Sequence, residues 1–279
     1  MKICRVNSFK NFNNLRGRLD REYSEIEKTE KELSANRRKD FFVPAFSYSA
    51  GKSAELYVHK RPGADLIDWR ESLVCPETSL NNRLRAAHQF FDMEFGADRE
   101  AVIYLSEQTT AFYKFMKARY VNLIGSEYLD PLMSGGTISD NNIRNEDLTN
   151  LSFEEESIDY CVSLECFEHI PLYKKGFSSC YRVLKPGGKL MISVPFILHN
   201  EWNTIRAQVN EENQIIHLLE PEYHQDPIDP GGCLCFTNFG WQILDELRSA
   251  GFSDTYALLY WSREFGYLGG HQILIVAIK

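Results

Sequence analysis

Six side chains able to move a proton or grip a polar group crowd into one stretch. In "LHNEWNTIRAQVNEENQIIHLLEPEYHQDP" (198–227) stand His199, His217, Glu222, Tyr223, His224 and Asp226. An imidazole changes charge near neutral pH and can take a proton from a reacting group or return one. His224 is the first candidate for a base, because "PEYHQDP" is a tight segment with proline at both ends. Tyr223 beside it is positioned to orient an acceptor. His169, just past an apolar run at 158–164, is the second candidate. His217, Glu222, His224 and Asp226 are also metal-ligand types, but their spacing matches no metal motif, so no metal is expected. Two other apparent motifs fail. "GKS" at 51–53 lacks the glycine that a phosphate loop needs five residues earlier, where Phe46 stands. Cys75-Pro76 has no nearby second cysteine to complete a zinc knuckle.

A second set of polar residues follows the apolar runs. "VIYLSEQTT" (102–110) takes a buried strand into a polar turn containing Glu107 and no glycine. "VNLIGSEYL" (121–129) carries Glu127, and "IRNEDLTNL" (143–151) carries Asp147. Periodicity gives the elements that must place them. Strands are expected at 101–106, 121–127, 143–146, 158–164, 189–195, 254–261 and 271–278. Helices are expected at 79–95, 109–119, 172–184 and 239–250, the last burying Phe239, Ile243, Leu244 and Leu247. Alternating strands and helices imply a mostly parallel sheet wound on both faces. The last two strands have no helix between them, so one is expected to be antiparallel. Before this region, Phe12, Leu15, Leu19, Tyr23, Ile26 and Leu33 recur at helical spacing over 9–38, with a gap at Glu30. That helix either lies across the main domain or pairs with a second chain. "ELYVHK" reads as a strand and "RPGAD" as a turn. The expected division is 1–79, a helical and β extension acting as lid or dimer contact, and 80–279, the α/β domain with a substrate-covering insertion near 198–236.

Composition narrows the partners. The 279 residues are 43% hydrophobic and 25% charged, with a formal net charge of −8. That balance opposes a nucleic-acid binder working through a basic surface, and it offers anionic lipid no attraction. The longest apolar runs, 190–198 and 273–278, are too short for a membrane-spanning helix. The first residues lack the pattern of a secretory signal. Seven scattered cysteines without framework spacing fit reduced thiols, so a cytoplasmic location is expected.

"FSSCYRVLKPGGKLMISVPF" (177–196) is a helix stopped by Pro186. Gly187-Gly188 reverse the chain into a buried strand. With "LTNLSFEEESIDYCVSLECFEHI" (148–170), in which Asp159 opens a strand and Glu168-His169 follow it, this segment resembles class I S-adenosylmethionine-dependent methyltransferases of type 11. The resemblance covers roughly 100–279, and "WRESLVCP" with "NNRLRA" (69–76 and 81–86) is similar to a branch of methyltransferase-like proteins. It implies a Rossmann-like doubly wound fold and S-adenosyl-L-methionine as cofactor. Glu127 would then accept the ribose hydroxyls, and Asp147 with the Leu148 backbone would meet the adenine. Glu107 would face the methionine ammonium. Ser163 and Leu164, ending the fourth strand, would border the cofactor.

The glycine-rich loop of the family is replaced by Ser106, Gln108 and Thr110. This cofactor carries no phosphate, so the close backbone approach that dinucleotide folds need is less critical. Methyl transfer asks the protein to align nucleophile, methyl carbon and sulfur. Alignment of this kind is worth effective molarities of roughly 10⁵–10⁸ M. The expected activity is methylation of oxygen or nitrogen on a small-molecule acceptor. The alternatives are a methyltransferase-fold protein that binds or scaffolds without catalysing, and, lower in rank, a dehydrogenase on a similar sheet. A homodimer through the N-terminal helix is a further expectation.

Overall fold

The computed structural model describes every residue except Asn36, Arg38, 61–65, Asp226, Pro227 and Asp229. The "RPGAD" turn and the Asp226 candidate therefore lie outside the described residues. In chain order the elements are β1 (Lys2–Val6), α1 (Phe9–Ser34), β2 (Phe41–Ser47), β3 (Lys52–Val58) and α2 (Asn82–Phe95). Then come β4 (Ile103–Leu105), α3 (Ala111–Lys117), β5 (Leu123–Gly125), β6 (Ile158–Leu164), α4 (Tyr173–Val183) and β7 (Leu184–Ser193). Six short strands follow: β8 (Thr204–Ile205), β9 (Ala207–Val209), β10 (Ile215–His217), β11 (Tyr223–His224), β12 (Cys233–Leu234) and β13 (Thr237–Asn238). The chain closes with α5 (Gln242–Ser249), β14 (Asp254–Ser262) and β15 (Tyr267–Ile278).

Seven strands make one sheet in the order β1-β14-β15-β7-β6-β4-β5. β4 pairs in parallel with β5 and β6, and β6 with β7. β15 runs antiparallel to β7, as expected for a final strand that has no crossover helix before it. The expected third strand at 143–146 is reduced to two bridges, Glu127↔Asn145 and Ile138↔Arg144. The backbone there still pairs on both sides: Glu127 N–H donates to the Arg144 carbonyl and Glu146 N–H to the Glu127 carbonyl, while Asn145 exchanges bonds with Thr137 and Gly136. The expected irregular stretch after β7 is instead three small hairpin pairings, β8 with β13, β9 with β10 and β11 with β12.

The chain divides into two compact units, 1–97 with 257–274, and 98–256 with 275–279. In the second, Asp159 is a junction. Its Oδ2 accepts from Val102 N–H at 2.8 Å and its Oδ1 from Lys185 Nζ at 2.7 Å. Lys185 thus fixes the start of β7 to the neighbouring strand rather than merely facing a helix dipole. The expected reversal at Gly187-Gly188 is instead an irregularity inside β7, which pairs with β6 from Leu184 and shifts register between Ile158 and Tyr160; Gly187 adopts φ +77° there. α5 buries Phe239 just before it and Ile243, Leu244 and Leu247 along one face, all at 0% exposure. Trp241 is packing, with its indole N–H donating to the Leu198 carbonyl at 2.7 Å.

In the first unit, α1 ends at Ser34 and buries Phe12, Leu19 and Ile26. The Glu30 gap in its apolar stripe has a cause. Its Oε1 accepts from Trp261 Nε1 and from the backbone N–H groups of Gly269 and Gly270, at 2.9, 2.7 and 3.1 Å. "FFVPAFS" pairs with β3 as an antiparallel hairpin. The "WRESLVCP…NNRLRA" segment proves to be a structural staple. Arg85, fully buried, donates to the carbonyls of Leu73, Phe265 and Gly266 at 3.2, 2.7 and 2.9 Å. Burial lowers its pKa to about 10, so the guanidinium stays charged at neutral pH. Among the described residues no helix is long and apolar enough to cross a membrane.

Truncating Arg85 strands the buried carbonyls of Leu73 and Gly266 and the half-buried one of Phe265, a buried one being worth about 1–3 kcal/mol when left unpaired. Arg85→Ala should lower the unfolding free energy by about 3 kcal/mol or more, measured by urea denaturation. Arg85→Lys should recover less than half of that, since one ammonium cannot span the three acceptors.

Candidate active site

The first cluster stands at the carboxyl ends of β4, β5 and β6, the end at which open parallel sheets bind ligands. The glycine-free turn after β4 is held by side chains. Glu127 Oε1 accepts three hydrogen bonds of 2.8 Å, from the N–H groups of Gln108 and Thr109 and from the Thr109 hydroxyl. The Gln108 side chain reaches the other way, donating to the Asn142 carbonyl and accepting from Arg144 N–H, both at 2.8 Å. Ser106 donates to Ser163 at 2.9 Å, which ties the tips of β4 and β6. Thr110 caps α3 by accepting from Tyr113 N–H.

The close approach that a glycine turn would allow is supplied from the facing strand. A Cβ built on Gly125 would sit 2.4 Å from the Tyr113 ring and 2.7 Å from the Glu107 carbonyl. Here the missing loop glycine is replaced by a glycine in β5, a signal that "LIGSE" carries but that motif matching overlooks.

Asp147 repeats the Glu127 pattern. Its Oδ1 accepts from the Thr149 N–H and hydroxyl, both at 2.8 Å, and starts the short 3₁₀ turn Leu148–Asn150. Leu148 and Leu164 are buried at 6% and 8% exposure, and Ser163 at 2%. In both Glu127 and Asp147, the carboxylate hydrogen bonds fall on a single oxygen. Glu107 is half-buried within the turn. The neighbouring Glu146 is sequestered by Arg144 and Ser152.

A second cluster adjoins the first, and it unites residues that are far apart in sequence. β6 ends at Leu164, and Glu165 takes φ +55°, uncommon for a residue other than glycine. The 3₁₀ turn Phe167–His169 then buries Glu168 completely. His169 Nε2 and His224 Nδ1 each stand 3.6 Å from Glu168 Oε1. The two imidazoles meet edge to face at 4.9 Å. His169 Nδ1 donates to the Leu234 carbonyl at 2.9 Å, and His224 Nε2 donates to Glu222 Oε1 at 3.1 Å. Arg206 holds the other oxygen of Glu222 at 3.2 Å.

Burial pushes the Glu168 carboxyl up, with His224 opposing. Glu168 first, then Glu222, raises His224 to about 9 against its own partial burial. Burial and the Glu168 charge push the Cys166 thiol up, against a hydrogen bond with Ser106, so Cys166 links the two clusters.

Both candidate bases are therefore brought together, around a carboxylate that sequence reading noted only as part of a pair. Tyr223 is not brought in. It is 59% exposed, on the face of β11 opposite to His224. His199 and His217 are also exposed.

Sheet order and crevice define a Rossmann-like α/β nucleotide-cofactor fold. Residues 109–192 match the family model described as "Methyltransferase domain", starting within the glycine-free turn. The matched segment takes in α3, β5, β6, α4 and most of β7. A short stretch is 50% identical, over 42 residues, to phosphoethanolamine N-methyltransferase 2 of Caenorhabditis elegans. That match spans 15% of this chain and 10% of the nematode protein. An S-adenosylmethionine-dependent methyltransferase from Mesorhizobium loti is 13% identical, with a TM-score of 0.43 over 70% of this chain and 100% of that one. The 1,6-didemethyltoxoflavin-N1-methyltransferase of Burkholderia thailandensis, solved with its substrate and S-adenosylhomocysteine, is 16% identical. It gives a TM-score of 0.42 over 70% of this chain and 77% of that one.

Gly125→Ala should displace either Tyr113 or the turn backbone, at a cost of about 1–3 kcal/mol in denaturation experiments. Gly125→Ala combined with Tyr113→Ala should relieve the ring overlap but not the contact with the Glu107 carbonyl. Their energies should therefore be non-additive in a double-mutant cycle.

Proposed function

We propose that this protein is a methyltransferase that binds S-adenosylmethionine in the β4–β6 crevice and methylates a small-molecule acceptor. The observation that carries the reading is the state of Glu127. One oxygen is fixed by the turn, and the other makes no hydrogen bond among the described residues. A carboxylate pre-oriented in this way suits a pair of ribose hydroxyls, and it needs no reorganisation on binding. Asp147 Oδ2 with the Leu148 backbone would take the adenine, and Ser163 and Leu164 would floor the site. Glu107 would meet the methionine ammonium.

His169 and His224 would face the acceptor across the Cys166 bridge. The hairpins between 204 and 238 would cover it. They carry exposed apolar side chains, among them Trp202 just ahead of β8 and Ile215 and Ile216 in β10. The −8 net charge supports an acceptor other than nucleic acid. The 42-residue identity to a phosphoethanolamine methyltransferase is compatible with a small acceptor.

Isothermal calorimetry tests the reading. The wild-type chain should bind S-adenosylmethionine and S-adenosylhomocysteine in the micromolar range. Glu127→Ala should weaken both by tenfold or more, or about 1.4 kcal/mol. Glu127→Gln keeps an acceptor oxygen for the turn and should lose less. Absence of heat with either ligand would reject the enzyme in favour of a binding or scaffold role.

A further inference from the structure

Glu168 poses a problem that the methyl-transfer reading leaves unsolved. It is fully buried, yet neither of its carboxylate oxygens has a hydrogen-bond partner among the described residues. Burying a charge in that state is costly unless something compensates it. The nearest cationic candidates are the two imidazoles, each with a nitrogen 3.6 Å from Oε1. That separation is too long for a hydrogen bond. It is, however, the spacing of ligands around a metal: tetrahedral donors about 2.0–2.2 Å from a zinc ion lie about 3.3–3.6 Å from one another.

The remaining ring nitrogens are committed elsewhere, in the manner of metal-binding histidines. A ligating imidazole donates its other N–H to a carbonyl or carboxylate, which fixes ring and tautomer. His169 Nδ1 donates to the Leu234 carbonyl, and His224 Nε2 donates to Glu222, itself held by Arg206. The nitrogens left over, His169 Nε2 and His224 Nδ1, are the two turned toward Glu168. The donor atoms of the three residues lie within 4.8 Å of one another.

We propose that Glu168, His169 and His224 form a binding site for one divalent transition-metal ion of the zinc class, with Glu222 and the Leu234 carbonyl as orienting partners. Two histidines and one carboxylate leave at least one coordination position for water or a substrate oxygen or nitrogen. A second grouping, Glu222, His224 and Cys235, shares His224. It is the poorer site, because Arg206 already holds Glu222 at 3.2 Å. A metal in the first grouping places a Lewis acid next to the cofactor crevice. That use of the ion rests on the methyltransferase reading; binding of the ion does not.

The test is metal titration of the intact, chelator-treated chain. Zinc chloride should bind at one equivalent, and cobalt(II) should give visible absorption bands of a site with nitrogen and oxygen donors. Glu168→Gln and His169→Asn should each weaken zinc by a hundredfold or more. Glu222→Gln, an orienting partner, should cost about 10–100-fold. All three should retain S-adenosylhomocysteine binding, which depends on Glu127. If Glu168→Gln does not fold, His169→Asn and Glu222→Gln carry the test. A folded wild-type chain with no saturable zinc or cobalt site overturns the proposal, as does undiminished binding in these variants. A chain that binds zinc but not S-adenosylhomocysteine supports the metal site and rejects the methyltransferase reading instead.

Discussion

The Glu127 carboxylate is the constraint on which the cofactor crevice depends. A turn leaving a parallel strand normally gains its shape from glycine, whose backbone can approach neighbours closely. Here Ser106, Glu107, Gln108, Thr109 and Thr110 occupy that turn, and its backbone N–H groups need acceptors. Glu127 supplies them from the next strand, and Gly125 opens room beside it. Gln108 then secures the 142–144 segment, where a third strand would otherwise pair. One side chain therefore holds the turn after β4 to the chain leaving β5.

The second cluster depends on a different balance. Glu168 is driven inside by the 3₁₀ turn after β6, which Phe167 and Phe177 anchor at a ring distance of 4.8 Å. Its partners come from the insertion. β11 brings His224, and the turn into β13 brings Phe236 N–H to the Glu168 carbonyl at 2.7 Å. The small core of Ala207, Leu234 and Phe236 holds these hairpins in place. The position of His224 beside Glu168 thus depends on a few apolar contacts within a segment that is otherwise largely exposed.

Much of this was legible in the sequence. Strand 158–164 and the helix stopped before "KPGG" follow from apolar period and from proline. Three features were not legible. The 143–146 strand shrinks to single bridges, to Glu127 on one side and Ile138 on the other, a pairing length that a periodicity count does not give. The short hairpins between 204 and 238 are two or three residues long, below the length at which alternation can be read. The Glu168 cluster joins residues more than fifty positions apart, so no spacing motif could reveal it. The Glu30 gap, by contrast, was visible as an anomaly, and its meaning appeared only with the loop at Gly269–Gly270.

The Arg85 staple has a consequence for the order in which the chain is made. Two of its three acceptors, Phe265 and Gly266, lie 180 and 181 positions downstream. Trp261 and Leu268 complete the apolar cluster around Ile26 and Leu56 in the same way. During synthesis, which proceeds from the amino end at about 5–20 residues per second, the first 97 residues leave the ribosome with only Leu73 of the three Arg85 acceptors present. They must wait for almost all of the remaining chain to emerge before that unit can close. For that interval the nascent amino-terminal segment is the part of the molecule most exposed to chaperone capture.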